Sequence, residues 1–344
     1  MKPEFTIRER QVFLAIVHGF VQNAEPVGSR FIAKHYDLNI SPATIRNVMA
    51  DLEEKGLIWQ PHTSAGRMPT TFGYRAYVDS LKGDTELSEL EQAIIIDKMA
   101  NFSKNADVII KKTARVLSEI SNQLGVVLSP RFAKGFLDKI ELVQLSGQKL
   151  LLVLSVSSGL VKSVIVEIEA ETSASFLKDT ASLINERLHG LSIEKLTESL
   201  QTRFIDVDDK SKALINAIGS STDDIIQLEP EGDFYFAGAH HVIQNPEFNS
   251  QEQVGRILEL LDNKDILVRV LSDQNKGGVS IVIGEENKEA LMQNCSIITT
   301  TYQMDGANGM LGVIGPTRMQ YAKIISLVQF ISDTLHYLVS KANN

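Results

Sequence analysis

In the first eighty residues, apolar positions fall into helix-length groups separated by short polar breaks. Val12, Phe13, Ile16, Val17 and Phe20 recur at intervals of three and four, which predicts a helix over 6–22 with one buried stripe. Thr6 suits its N-cap, and Glu9 three residues on completes a capping box. Residues 23–28 break it, because Pro26 lacks a backbone donor and restricts the residue before it. A second short helix is predicted over 29–36, with Phe31 and Ile32 inward. After a loop at 37–40, Ser41 suits an N-cap and Pro42 the first helical position, where its missing N–H costs nothing. Ile45, Val48, Met49 and Leu52 then give that third helix a buried face.

Gly56 ends the third helix where a left-handed residue is usual. Leu57-Ile58-Trp59 reads as a strand, 61–67 as a polar turn and the residues after it as a return strand. Pro69-Thr70-Thr71 starts a further helix to about Leu81, packing through Tyr74, Tyr77, Val78 and Leu81. Three helices, a strand, a turn and a return strand make the pattern of a winged helix-turn-helix. The outer face of the third helix carries Ala43, Thr44, Arg46, Asn47 and Ala50. A guanidinium pairs with guanine and an amide with adenine in the major groove, and small neighbours permit close approach. The candidate DNA-contacting set is Ser29, Arg30, Ser41, Ala43, Thr44, Arg46 and Asn47, with His62, Thr63, Ser64 and Arg67 on the wing. A helical protein-interaction module shares the apolar pattern; the wing following the third helix favours DNA.

Residues 83–88 read as a polar linker and 89–124 as one or two helices. Strands are predicted at about 135–145, 149–156 and 161–168, a meander, with Leu150–Leu154 apolar throughout as in a strand covered on both faces. A helix over 173–188 and a mostly helical stretch follow. Strands return at 279–283, 295–302 and 309–314, with Asn308-Gly309 as a hairpin signal. A closing helix over 318–339 packs through Tyr321, Ile324, Ile325, Val328, Ile331 and Leu335. A helix-rich block between strand-rich blocks predicts an α+β, multidomain chain with one discontinuous domain.

Charge sharpens this division. The chain of 344 residues carries a formal net charge of -9, yet residues 1–82 hold ten Lys/Arg against eight Asp/Glu, a net of +2. The remainder carries 24 against 35 and is therefore at -11. Phosphate binding needs a local basic surface rather than a basic protein. Cys295 is the single cysteine, which excludes an intrachain disulfide. With no signal-peptide pattern and no apolar run long enough for a bilayer, a cytoplasmic protein away from membranes is expected.

Other candidate chemistry is thin. The glycines at 306–315 lack the Lys-Ser/Thr of a phosphate loop and read as turns. His240-His241 lack a nearby third ligand, so no metal is expected. Cys295 reads as a core thiol, Glu285-Glu286 as a solvated turn, and Arg318, unfavourable at a helix start, as bonded to a neighbour. No catalytic constellation is evident, so no enzyme and no cofactor are expected.

Several runs carry a specific resemblance. Glu25-Pro26-Val27-Gly28-Ser29-Arg30, Ser41-Pro42-Ala43-Thr44-Ile45-Arg46-Asn47, Pro61-His62-Thr63-Ser64-Ala65-Gly66-Arg67 and Gly73-Tyr74-Arg75 resemble the HrcA family of heat-inducible transcription repressors. Ile283-Gly284-Glu285-Glu286-Asn287 and Ile314-Gly315-Pro316-Thr317-Arg318-Met319-Gln320-Tyr321 extend the resemblance to the C-terminus. Residues 190–270 match least: Gly238-Ala239-His240-His241 stands where family members carry a Gly-Thr-Ser-Asn-like run. The resemblance implies a winged-helix domain (1–82), a linker and helix (83–100), a GAF-like α/β domain (101–190 and 271–344) and an inserted, helix-rich dimerising domain (191–270). It also implies a homodimer on an inverted-repeat double-stranded DNA operator, CIRCE, silencing chaperone operons. Heat would lift repression, and the GroE chaperonin would maintain the active form. The competing reading is a metabolite-sensing regulator with a ligand in the GAF-like domain.

Overall fold

A computed structural model describes residues 4–81, 87–100, 106–168, 172–228, 232–248, 250–274, 277–304 and 306–342. The chain is of mixed α/β construction. The expected linker residues 83–86 lie outside the described residues.

The first 81 residues, the head, contain α1 (Ile7–Asn23), α2 (Ser29–His35), α3 (Pro42–Glu54), β1 (Ile58–Trp59), β2 (Met68–Pro69) and α4 (Thr71–Ser80). Local chemistry places these ends. Thr6 and Glu9 form the expected reciprocal cap on α1, and Ser41 accepts from the Thr44 amide to cap α3. Gly56 takes φ +69° after α3, a conformation that a Cβ disfavours. Helix α4 begins two residues later than expected: Pro69 completes β2, paired with Ile58, and Thr70 caps the helix.

The body follows with α5 (Glu89–Ala100), α6 (Ala106–Ser121) and β3 (Leu124–Leu128). Strand β3 was not among the expected strands: the helix expected to reach 124 ends at Ser121, Asn122 turns the chain at φ +52°, and the fully buried run Leu-Gly-Val-Val-Leu follows. The chain then leaves the body for an insert of β4 (Leu137–Ser146), β5 (Lys149–Val156), β6 (Val161–Glu167), α7 (Ala174–Leu188), α8 (Leu196–Arg203) and α9 (Asp209–Leu228). It returns through β7 (Phe234–Ala237), α10 (Ala239–Ile243), α11 (Gln251–Asp262), α12 (Lys264–Ser272), β8 (Ser280–Ile283), β9 (Cys295–Met304), β10 (Ala307–Pro316) and α13 (Tyr321–Ala342).

Strand pairing corrects the expected boundaries. The body sheet has the order β7-β3-β10-β9-β8 and is antiparallel throughout. The meander β4-β5-β6 pairs only with itself. Thus the excursion runs from the end of β3 to the start of β7, rather than from 191 to 270, and it contains the meander. Its ends are tied: Ser129 donates its amide to Asp233 O at 2.8 Å, and Asp233 returns its amide to Ser129 Oγ at 2.7 Å.

Alternation along the body strands feeds two faces. Val127, Ile298, Leu311 and Val313 join the core shared with α6 and α13. Leu124, Val126, Ile297 and Ile314 pack with Val242, Ile257, Leu260 and Leu267 of α10–α12. In the insert, Leu150, Leu152 and Leu154 are fully buried while Leu151 and Val153 are half-buried, so β5 is covered on one face only, contrary to expectation. Asn308-Gly309 is no turn either. Both residues pair with Gln303 and Tyr302 inside the β9–β10 ladder, and Gly309 lies under the Tyr302 ring, where a Cβ would approach it to 2.4 Å.

Candidate nucleic-acid interface

Helix α3 is the centre of the head. Its buried side, Ile45, Val48, Met49 and Leu52, meets α1 and α2. That packing leaves Ala43, Arg46, Asn47 and Ala50 exposed, with Thr44 half-buried in the first turn. Ser41 Oγ lies 3.1 Å from the Thr44 amide and 3.0 Å from Thr44 Oγ1, so cap and first turn are ordered together. Arg46 and Asn47 thus offer a fork donor and an amide from one rigid turn, the groups that read guanine and adenine edges.

The hairpin turn after β1 is shaped from within. Gln60 Nε2 donates to the carbonyls of Thr63 (3.0 Å) and Ala65 (2.8 Å), leaving His62, Thr63 and Ser64 exposed at the tip. At its base, Val27 and Arg67 exchange two backbone hydrogen bonds of 2.9 Å. Gly66 permits this approach, because a Cβ there would lie 2.4 Å from the Val27 carbonyl carbon. Arg67 Nε donates to Glu53 Oε2 of α3 at 2.9 Å. The Arg67 side chain is only 18% exposed.

Two members of the expected set are therefore placed differently. Arg67 is a tether between hairpin and α3 rather than a free cation. Ser29 is buried as the first residue of α2, whereas Arg30 beside it is exposed. Glu53 and Gln60, which shape the hairpin, were not singled out in the sequence. Glu53 joins Arg67 across fourteen residues and carries no local signal.

Elsewhere in the head, Glu9 Oε1 accepts from Lys55 Nζ at 2.7 Å, and the Thr6 amide donates to Glu9 Oε2 at 2.8 Å. The Lys55 hydrogen bond, then that of the Thr6 amide, holds this buried carboxyl below the usual glutamate range.

Other expected features settle into the body. Cys295 is fully buried, and burial pushes its thiol up to about 12. Glu285 and Glu286 lie exposed in a short 3-10 turn, as expected, and Glu286 in addition accepts from Arg75. Arg318 bonds Glu247 and Val21, as a neighbour-bonded arginine should. No helix among the described residues is long and apolar enough to cross a membrane.

Comparison with known proteins gives a consistent picture. Residues 107–325 match the family model described as the HrcA protein C terminal domain. A heat-inducible transcription repressor HrcA from Chlorobium phaeobacteroides (strain BS1) is 38% identical, over 97% of this chain and 98% of its own. One from Symbiobacterium thermophilum is 37% identical over 95% and 97%. Among solved structures, the crystal structure of a hypothetical protein shares the fold with a TM-score of 0.67 at 17% identity, covering 98% of this chain and 100% of that one.

Proposed function

Because the chain belongs to the HrcA family of heat-inducible transcription repressors, we propose that its head is a winged helix-turn-helix that reads an inverted-repeat operator of the CIRCE type. The observation that carries this reading is the surface of α3 formed by exposed Ala43, Arg46 and Asn47 beside half-buried Thr44, capped by Ser41 and backed by the head core. The wing tip, His62-Thr63-Ser64, and Arg30 add backbone contacts that position the helix without reading bases.

One such head makes few contacts, so affinity comes from two heads joined in a homodimer. In this reading the body is GAF-like and the insert dimerises. Its meander turns an apolar face outward: Val143, Leu145, Val161 and Ile165 are each about half exposed, and Val143 and Ile165 flank Leu151 in register. An apolar sheet face of this kind suits a self-complementary contact. The repressor acts on DNA in the cytoplasm, and warming that loosens the body separates the heads and lifts repression. The GroE chaperonin then restores the folded form. A metabolite held against either face of the body sheet is disfavoured, because apolar side chains of α10–α12 fill one face and α6 and α13 cover the other.

The test is binding of the full chain to an inverted-repeat duplex and to a scrambled duplex, at fixed salt and rising temperature. Selective binding that fades on warming and returns with chaperonin is expected. Equal binding to both duplexes overturns the winged-helix assignment, and selectivity indifferent to heat overturns the thermal mechanism.

A further inference from the structure

Two arginines join head to body, each through a carboxylate and a backbone carbonyl; Arg75 also lies 3.5 Å from Asp79 of its own helix. Arg75 of α4 donates from Nε to Glu286 Oε1 at 2.7 Å and from Nη2 to Glu286 Oε2, so the pair is two-pronged. Nη2 also donates to Ile281 O at 2.7 Å. That carbonyl belongs to β8, the edge strand of the body sheet. Glu286 is itself held, accepting from the Ile283 amide at 2.9 Å. The ion pair, Glu286 before the other contacts, raises the affinity of Arg75 for its proton.

The second junction lies at the far end of the chain. Arg318, just before α13, donates from Nε to Glu247 Oε1 at 2.7 Å and from Nη1 to Val21 O at 2.9 Å. Val21 is in the last turn of α1, where carbonyls lack helical partners and the dipole favours a cation. That turn has no basic residue of its own. Ala24 caps this helix end through the Phe20 carbonyl, and the body adds a partner for the Val21 carbonyl from 297 residues away. The Arg318 side chain is 15% exposed. Between the junctions the Tyr74 and Tyr321 rings lie 5.6 Å apart.

A single attachment leaves a head free to swivel, whereas two attachments on different helices define one orientation. Arginine suits this because its planar fork fixes direction as well as distance. We infer that Arg75 and Arg318 are positioning residues that lock the head on the body in one pose and so set the half-site spacing that a dimer engages. The spacing half of this inference rests on the DNA-reading role proposed above; the locked pose does not.

The experiment uses spin labels at Ile7→Cys in the head and Leu258→Cys in the body, with labelled chain diluted into unlabelled chain. Both sites are exposed, and Cys295 is buried. A narrow distance distribution is expected for the otherwise unaltered protein. Arg75→Gln and Arg318→Gln should broaden it, and Arg75→Glu combined with Glu286→Arg should narrow it again. On duplexes with altered spacers, the unaltered protein should prefer one spacing by about tenfold, and each Gln variant by less than about threefold, with single half-site binding within about twofold. Unbroadened distances overturn the locked pose. Broadened distances with an unchanged spacing preference overturn its consequence for DNA. If the unaltered protein shows no operator preference, the DNA-reading proposal fails while the label distances still decide the lock.

Discussion

Arg67 and Glu53 face one another across the base of the hairpin, Nε to Oε2 at 2.9 Å. This contact directs the guanidinium toward α3, while the Val27 bridge fixes the backbone behind it. A phosphate contact and a tether predict different salt behaviour. Arg67→Ala is expected to weaken operator binding about threefold to tenfold with little change in salt slope, and Glu53→Gln should do the same. A phosphate contact would instead lower the slope by about one. Titrations at several salt concentrations distinguish the two.

Arg46→Ala and Asn47→Ala should leave thermal stability unchanged, because both side chains are exposed. Each should lose about 1–3 kcal/mol of discrimination against the wrong base. Competition between the operator and duplexes changed at single positions measures this. Undiminished discrimination in both variants would sink the recognition-helix assignment.

Glu9 makes the stability of the head depend on pH. Its carboxyl is held below the ordinary value by Lys55 and by the Thr6 amide, so ionised Glu9 favours the folded state. That contribution is fully present above the unfolded-state pKa of about 4.5 and is lost as pH falls through the lowered folded value. Glu9→Gln should therefore cost about 1 kcal/mol at pH 7 and progressively less on acidification below about pH 4.5. Denaturant titrations at pH 7 and below pH 4 check the sign. A deficit that grows toward acid contradicts the assignment.

Cys295 begins β9 in the body core, and its raised pKa adds to its inaccessibility. The native protein should resist thiol reagents, and modification should appear only as the body opens. Labelling followed across a temperature series alongside operator binding tests whether the two are lost together. Rapid labelling well below the loss of binding would separate repression from body stability.

The sequence reveals the head more fully than the rest because its signals are local. Ser41-Pro42, the Thr6–Glu9 box and Gly56 each act within a few residues, and tertiary packing agrees with them. In the body the deciding contacts are remote. Leu124–Leu128 is a five-residue apolar run whose periodicity does not distinguish strand from helix, and the Ser121-Asn122-Gln123 break before it was not used to end the helix. Asn308-Gly309 has the chemistry of a turn, yet the ladder with β9 and the Tyr302 ring hold it extended. The same distance effect operates in the candidate site. The exposed face of α3 follows from its own stripe, whereas the burial of Ser29 and the capture of Arg67 by Glu53 depend on neighbours that spacing does not reveal.

The bonds between Ser129 and Asp233 close an excursion of 104 residues inside one sheet. Strand β3 cannot acquire its β7 neighbour until the whole insert has been synthesised. Until then its edge groups and the apolar side chains on that face await their partners. Loop-closure entropy must be met before these contacts compensate it, and such non-local sheets form slowly. During that interval an unpaired, wholly apolar strand is open to the wrong partner. The order of synthesis thus builds a delay into the body, during which its longest-range sheet pairing is the last to be secured.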